Sequence, residues 1–170
     1  MNRYFFNAFS YNLVKSNVRI KIEGNPTKDD IQTIQNITVE LNNLLSTIQV
    51  KIVDNFPSMV IRFDPNDNES DKRPGTGTTS KSDVKINHNQ FFSLIYDCRI
   101  FISTKFTNQE ERNLILWKEI SKSLGTFRQS FAVNSTLIGR NDKPGLTTED
   151  KLFLRSLFSP GGEKVLKQIQ

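Results

Sequence analysis

The sequence predicts a single α+β domain: a mixed sheet of about four or five strands packed on two long helices, with a helical C-terminal third. Three observations carry that prediction. Several short segments alternate apolar and polar residues with the period of two that marks a strand with one wet face. Other stretches repeat apolar residues every three or four positions behind a capping residue, the pattern of an amphipathic helix. The length of 170 residues, with 13 Phe, supplies one hydrophobic core without disulfide staples.

The elements follow in order. Asn17-Val18-Arg19-Ile20-Lys21-Ile22-Glu23 alternates and reads as a strand, closed by Gly24-Asn25-Pro26. Thr27 is placed to cap a helix, with Asp29 and Asp30 in its first turn, where acidic groups favour the helix dipole. Ile31, Ile34, Ile37, Leu41, Leu44 and Ile48 then form one apolar stripe. Residues 48–53 alternate again, residues 54–57 turn, and Met59-Val60-Ile61-Arg62-Phe63 is a third strand. The short spacing predicts that these last two strands pair as a hairpin. Residues 64–83 lose all periodicity and read as a flexible loop.

Val84-Lys85-Ile86 is a short strand candidate, and the run ending at Thr104 is the strongest β segment. There Cys98, Ile100 and Ile102 share one face, and Arg99, Phe101 and Ser103 the other. Thr107-Asn108-Gln109-Glu110 has the form of a capping box. The helix behind it turns Leu114, Leu116 or Trp117, Ile120 and Leu124 to the core, and Gly125 suits the position just past its end. Thr147 caps a third helix carrying Leu152, Phe153, Leu154, Leu157 and Phe158, which Pro160, Gly161 and Gly162 break. A last short helix is expected over residues 163–169.

Composition excludes several chemistries. One cysteine, Cys98, allows no internal disulfide and no cysteine-based zinc module. One histidine, His88, excludes every motif that needs two; it reads as a loop or strand-edge residue. No stretch reaches the ~20 apolar residues of a membrane span. The aromatic segment Met1 to Phe9 is too short and too broken by Asn for a secretory apolar region. The net charge is +5, but basic and acidic residues interleave, which argues against a nucleic-acid partner. The one asymmetry is the stretch 108–170, with 10 basic and 7 acidic residues. Gly75 to Ser82 approaches a phosphate loop, but Ser80 replaces the second glycine and no helix follows.

The second helix holds a sharper pattern. Lys118-Glu119-Ile120-Ser121-Lys122-Ser123-Leu124-Gly125 has the spacing of the zinc-protease helix HExxHxxG. In that motif two histidines one turn apart bind zinc, and the glutamate between them activates water. Here Lys118 and Lys122 stand at the histidine positions, and Arg128 stands at the third-ligand position. Three cations make no zinc site, because a protonated amine has no lone pair to give. Glu119 alone matches a catalytic position, and its plain alternative is an ordinary charged helix face paired with Lys118 or Lys122.

Leu116 to Gly162 resembles a bacterial domain family of unknown function with a zincin-like fold. The words that carry the resemblance are Lys118 to Gly125, then Ser135-Thr136-Leu137, then Asp150-Lys151-Leu152-Phe153-Leu154-Arg155-Ser156-Leu157-Phe158-Ser159-Pro160. The resemblance implies a zincin-like fold over residues 17–162, within a single domain of residues 1–170, and an extracytoplasmic location. It implies no activity, since the family's metal ligands are often degenerate and are replaced here. The expected function is therefore a non-catalytic binding or structural role, with neither metal nor other cofactor. A peptide or anionic ligand would be held by Lys118, Lys122 and Arg128. A hydrolase with a site around Glu119, and a weak nucleic-acid binder, are the alternatives.

Overall fold

A computed structural model describes residues 9–13, 16–65, 82–89, 94–127 and 143–160. Along these residues run β1 (Phe9–Leu13), β2 (Val18–Gly24), α1 (Lys28–Leu44), β3 (Val50–Ile52), β4 (Met59–Asp64) and β5 (Ser82–Asn89). Then come β6 (Leu94–Ser103), α2 (Gln109–Lys122), β7 (Gly125–Phe127) and α3 (Thr148–Leu157). The domain is α+β, as its patterning predicts. Among the described residues no helix is long and apolar enough to cross a membrane.

Strands β3, β2, β4 and β6 lie side by side and parallel, and β5 pairs antiparallel with β6. The sheet is thus mixed, as expected. The short strands β1 and β7 pair with each other, and β1 also meets β6, an addition the sequence did not suggest. Parallel register puts Ile20, Met59 and Cys98 in one row, and Ile22, Ile61 and Ile100 in the next. This face carries the core, and all of these except the half-buried Ile22 are closed to solvent. Each fully buried Ile or Met of these rows contributes about 1.5–3 kcal/mol by leaving water. The opposite face bears Lys21, Glu23, Arg62 and Asp64, with pairs Lys21–Glu23 at 2.9 Å and Arg62–Asp64 at 3.1 Å.

Helix α1 starts as predicted. Thr27 Oγ1 accepts from the Asp30 amide at 3.1 Å, and Asp30 Oδ2 accepts from the Thr27 amide at 2.8 Å. Ile34, Ile37, Leu41 and Leu44 bury against the sheet. Ile31 does not: it is exposed, and Asp30 and Thr33 take the inward positions of that turn.

The expected hairpin of residues 48–53 with 59–63 is not formed. β3 and β4 flank β2 on opposite sides, both parallel to it. Val53 donates to Ile20 O at 2.8 Å, and Ser58 donates to Arg19 O at 2.9 Å. Neighbouring carbonyls of a strand point to opposite sides, so residues 54–57 carry the chain across β2. In that crossing Phe56 adopts a φ of 51°. A short connection is a hairpin signal only when its strands lack a better partner, and β2 is apolar enough to take both.

Helix α2 begins one residue later than the predicted box. Its cap is Asn108, whose side chain accepts from Glu111 N at 2.9 Å, while Glu111 accepts from Asn108 N at 3.0 Å. Thr107 is spent on the Ser103 carbonyl. At the other end Ser123, not a left-handed glycine, closes the helix. Its amide donates to Glu119 O at 3.0 Å and its hydroxyl to Ile120 O at 2.7 Å. Gly125 is buried and opens β7. Leu116, Ile120 and Leu124 join the core, with Ile115 and Trp117 packed at its margin.

Helix α3 has the predicted Thr147 cap, and Phe153, Leu154 and Leu157 bury while Leu152 stays exposed. It reaches α1 through Lys151 and Glu40, 2.8 Å apart, and Ser46 and Thr47 both donate to Phe158 O. Of the expected 64–83 loop, Asp64 ends β4 and Ser82 opens β5, and residues 66–81 lie outside the described residues. So do Arg128, residues 135–137 and the expected helix at 163–169.

Candidate functional site

The predicted site residues sit at the C-terminal half of α2. That helix is held from both directions: its apolar stripe seats it on the sheet, and its first turn is tied to α1. Arg112 and Gln109 both reach Asp30, at 3.0 and 2.8 Å. Arg112 also donates to Thr107 O at 2.9 Å, and Gln109 and Thr33 donate to Asn113 at 3.0 Å. A helix fixed in this way holds its last two turns at a set rotation.

On those turns Lys118, Glu119 and Lys122 are all half-buried. They feel one another. Burial pushes the Lys122 ammonium below the ordinary lysine value; Glu119 opposes that shift and Lys118 adds to it. Glu119 also bears on the sheet, where burial pushes the Cys98 thiol up to about 12. The Ser123 hydroxyl opposes that rise, and the charges of Asp97 and Glu119 increase it. Such a thiol is no nucleophile, so Cys98 is the core residue its strand predicts.

Among the described residues no close ion pair joins Glu119 to Lys118 or Lys122, but the Glu119 charge acts on Lys122, so the ordinary charged helix face stands beside the binding reading. The structure brings Lys118, Glu119 and Lys122 together, and Arg128 lies outside the described residues. His88 falls on β5, at the edge opposite Ile95, after an irregularity in register. One neighbour escaped the sequence reading. Ser121 lies between the two lysines on the helix, is fully buried, and its Oγ has no hydrogen-bond partner. Its spacing from Lys118 is visible in the sequence, but a helical serine is usually exposed, so the spacing alone does not mark it.

Zinc does not fit these residues. The donor set at the two positions is a pair of ammonium groups, and among the described residues no three His, Cys, Asp or Glu side chains gather to hold a metal ion. The cluster can hold charge: two cations and one anion, half-buried, leave a positive excess.

No family model matches the chain, and no curated protein matches it in sequence. Solved structures do match its fold. One is the crystal structure of myroilysin, which is 12% identical with a TM-score of 0.51. The match covers 86% of this chain and 85% of that chain. At that identity the likeness is one of fold alone, and a weak one: this chain is similar to myroilysin in architecture.

Proposed function

We propose that the chain is a non-catalytic, zincin-like binding domain, in which the helix of the zinc-protease register presents cations to a peptide or anionic ligand. The observation that carries this reading is the placement of Lys118 and Lys122, one turn apart and half-buried, with Glu119 between them. Burial disfavours the Lys122 ammonium, and an anionic group beside it would offset that cost. Arg128 belongs to the same proposal by its spacing in the sequence, three residues beyond Gly125. The likeness to myroilysin supports the fold and brings no activity with it, because fold and function separate freely.

The test is metal content and proteolysis together. Purified chain is equilibrated with equimolar zinc, desalted and analysed, then incubated with denatured casein. Metal-free binding predicts no retained zinc and no cleavage. One zinc per chain, or cleavage lost in Glu119→Gln, would overturn it in favour of a hydrolase.

A further inference from the structure

On α2, residues 118, 121 and 122 share one face, because positions three and four apart stack along a helix. This face points away from the stripe of Leu116, Ile120 and Leu124. It is nevertheless enclosed: Lys118 and Lys122 are half-buried, and Ser121 is buried. Two features of it are unfavourable as they stand. Like charges one turn apart repel. The Ser121 hydroxyl, closed to solvent, has no partner, although a helical serine can settle on a carbonyl of the preceding turn.

One kind of group removes both costs. It must be anionic, and it must present enough acceptor sites for two ammonium groups and a hydroxyl. A carboxylate offers about four lone-pair positions on two oxygens. Its single negative charge also matches the site, where Lys118, Lys122 and Glu119 leave one positive charge over. A phosphate dianion would leave the site negative.

Resting on the binding role proposed above, we infer that this face of α2 binds a carboxylate between Lys118 and Lys122, with the Ser121 hydroxyl as third donor. Lys122 gains most. Burial and Lys118 both disfavour its charged form, and a seated carboxylate offsets both effects. Ser121 is a binding residue here and serves no packing purpose that alanine would not serve.

The experiment titrates the full chain with N-acetylglycine, N-acetylglycinamide, inorganic phosphate, and a short peptide with a free or an amidated C-terminus. Binding is followed by thermal shift and by the amide resonances of α2. The carboxylate probes are expected to bind and the amides not, with phosphate weaker than N-acetylglycine. A free-ended peptide binding tighter than N-acetylglycine identifies a chain terminus as the source; equal binding identifies a small acid. Ser121→Ala should weaken carboxylate binding by about tenfold, the loss of one hydrogen bond to a charged group, while leaving the ligand-free chain at least as stable. Lys118→Gln with Lys122→Gln should abolish binding. Equal binding of the amides, or affinity unchanged in Ser121→Ala and in the double variant, overturns the inference. A zinc-free chain that ignores carboxylates overturns this inference alone, whereas stoichiometric zinc overturns the binding role beneath it.

Discussion

Arg112 Nε lies 3.0 Å from Asp30 Oδ1 with both side chains buried, so a buried ion pair helps fasten α2 to the first turn of α1. Asp30 serves two structures at once, since its other oxygen closes the α1 capping box. Burial raises the Asp30 pKa, but bonds from the Thr27 amide, Gln109, Arg112 and the Thr27 hydroxyl outweigh it and leave a net lowering. Arg112→Ala strands the carboxylate and should cost about 3–5 kcal/mol, read from urea midpoints at pH 7.

The same pair sets an acid response. A lowered carboxyl pKa contributes stability that is present above the ordinary value of 3.8 and is lost as pH falls through the lower, folded value. The stability gap between the chain and its Asp30→Asn variant should therefore hold from neutral pH down to about 4 and narrow below it. A gap that fails to narrow below about pH 4 would contradict a lowered Asp30 pKa in the fold.

Gly24 ends β2 with a φ of 82°, and a Cβ there would stand 1.8 Å from the Phe63 carbonyl oxygen. No flexible side chain can yield, because the obstacle is the backbone of the neighbouring strand. Gly24→Ala should lose more than ~1 kcal/mol in chemical denaturation. The loss should come with disturbed amide signals at Phe63 and Asn25, whose amide donates to that same oxygen at 3.0 Å.

Asn42 guards an edge. Its amide donates to Val50 O at 2.9 Å and its carbonyl accepts from Val50 N at 2.8 Å, so a side chain takes the place of another strand beside β3. Asn42→Ala should cost about 1–3 kcal/mol for groups left unpaired. Light scattering should show more self-association, because a bare edge is a template for pairing.

Cys98 should be silent toward a disulfide reagent at pH 8 in the folded chain and react once per chain in denaturant. It is buried and its thiol is pushed up to about 12. Rapid reaction in the folded chain would mean that β6 opens readily beneath α2.

How much of this was legible follows the range of each interaction. The Thr27 and Thr147 caps and the alternation of β2 and β6 are local, and the sequence shows them plainly. The crossing at residues 54–57 is not legible, because it depends on β2 accepting a partner on each side. The one-residue slip from Thr107 to Asn108 was undecidable from propensity, since both residues cap helices well; the Ser103 carbonyl decides it. Asp30 and Arg112 are 82 positions apart, and no spacing rule links them. At the site, the register of Lys118, Glu119, Lys122 and Gly125 was readable, whereas the burial of Ser121 appears only once the fold encloses that face.

The central claim is that α2 carries the zinc-binding register with cations at the ligand positions. Restoring ligands tests it directly: zinc binding by the triple variant Lys118→His, Lys122→His, Arg128→His, measured by calorimetry beside the unaltered chain. The register predicts one zinc per triple variant, with a raised Tm, and none for the unaltered chain. A triple variant that folds yet takes no zinc, or an unaltered chain that takes one, would contradict it.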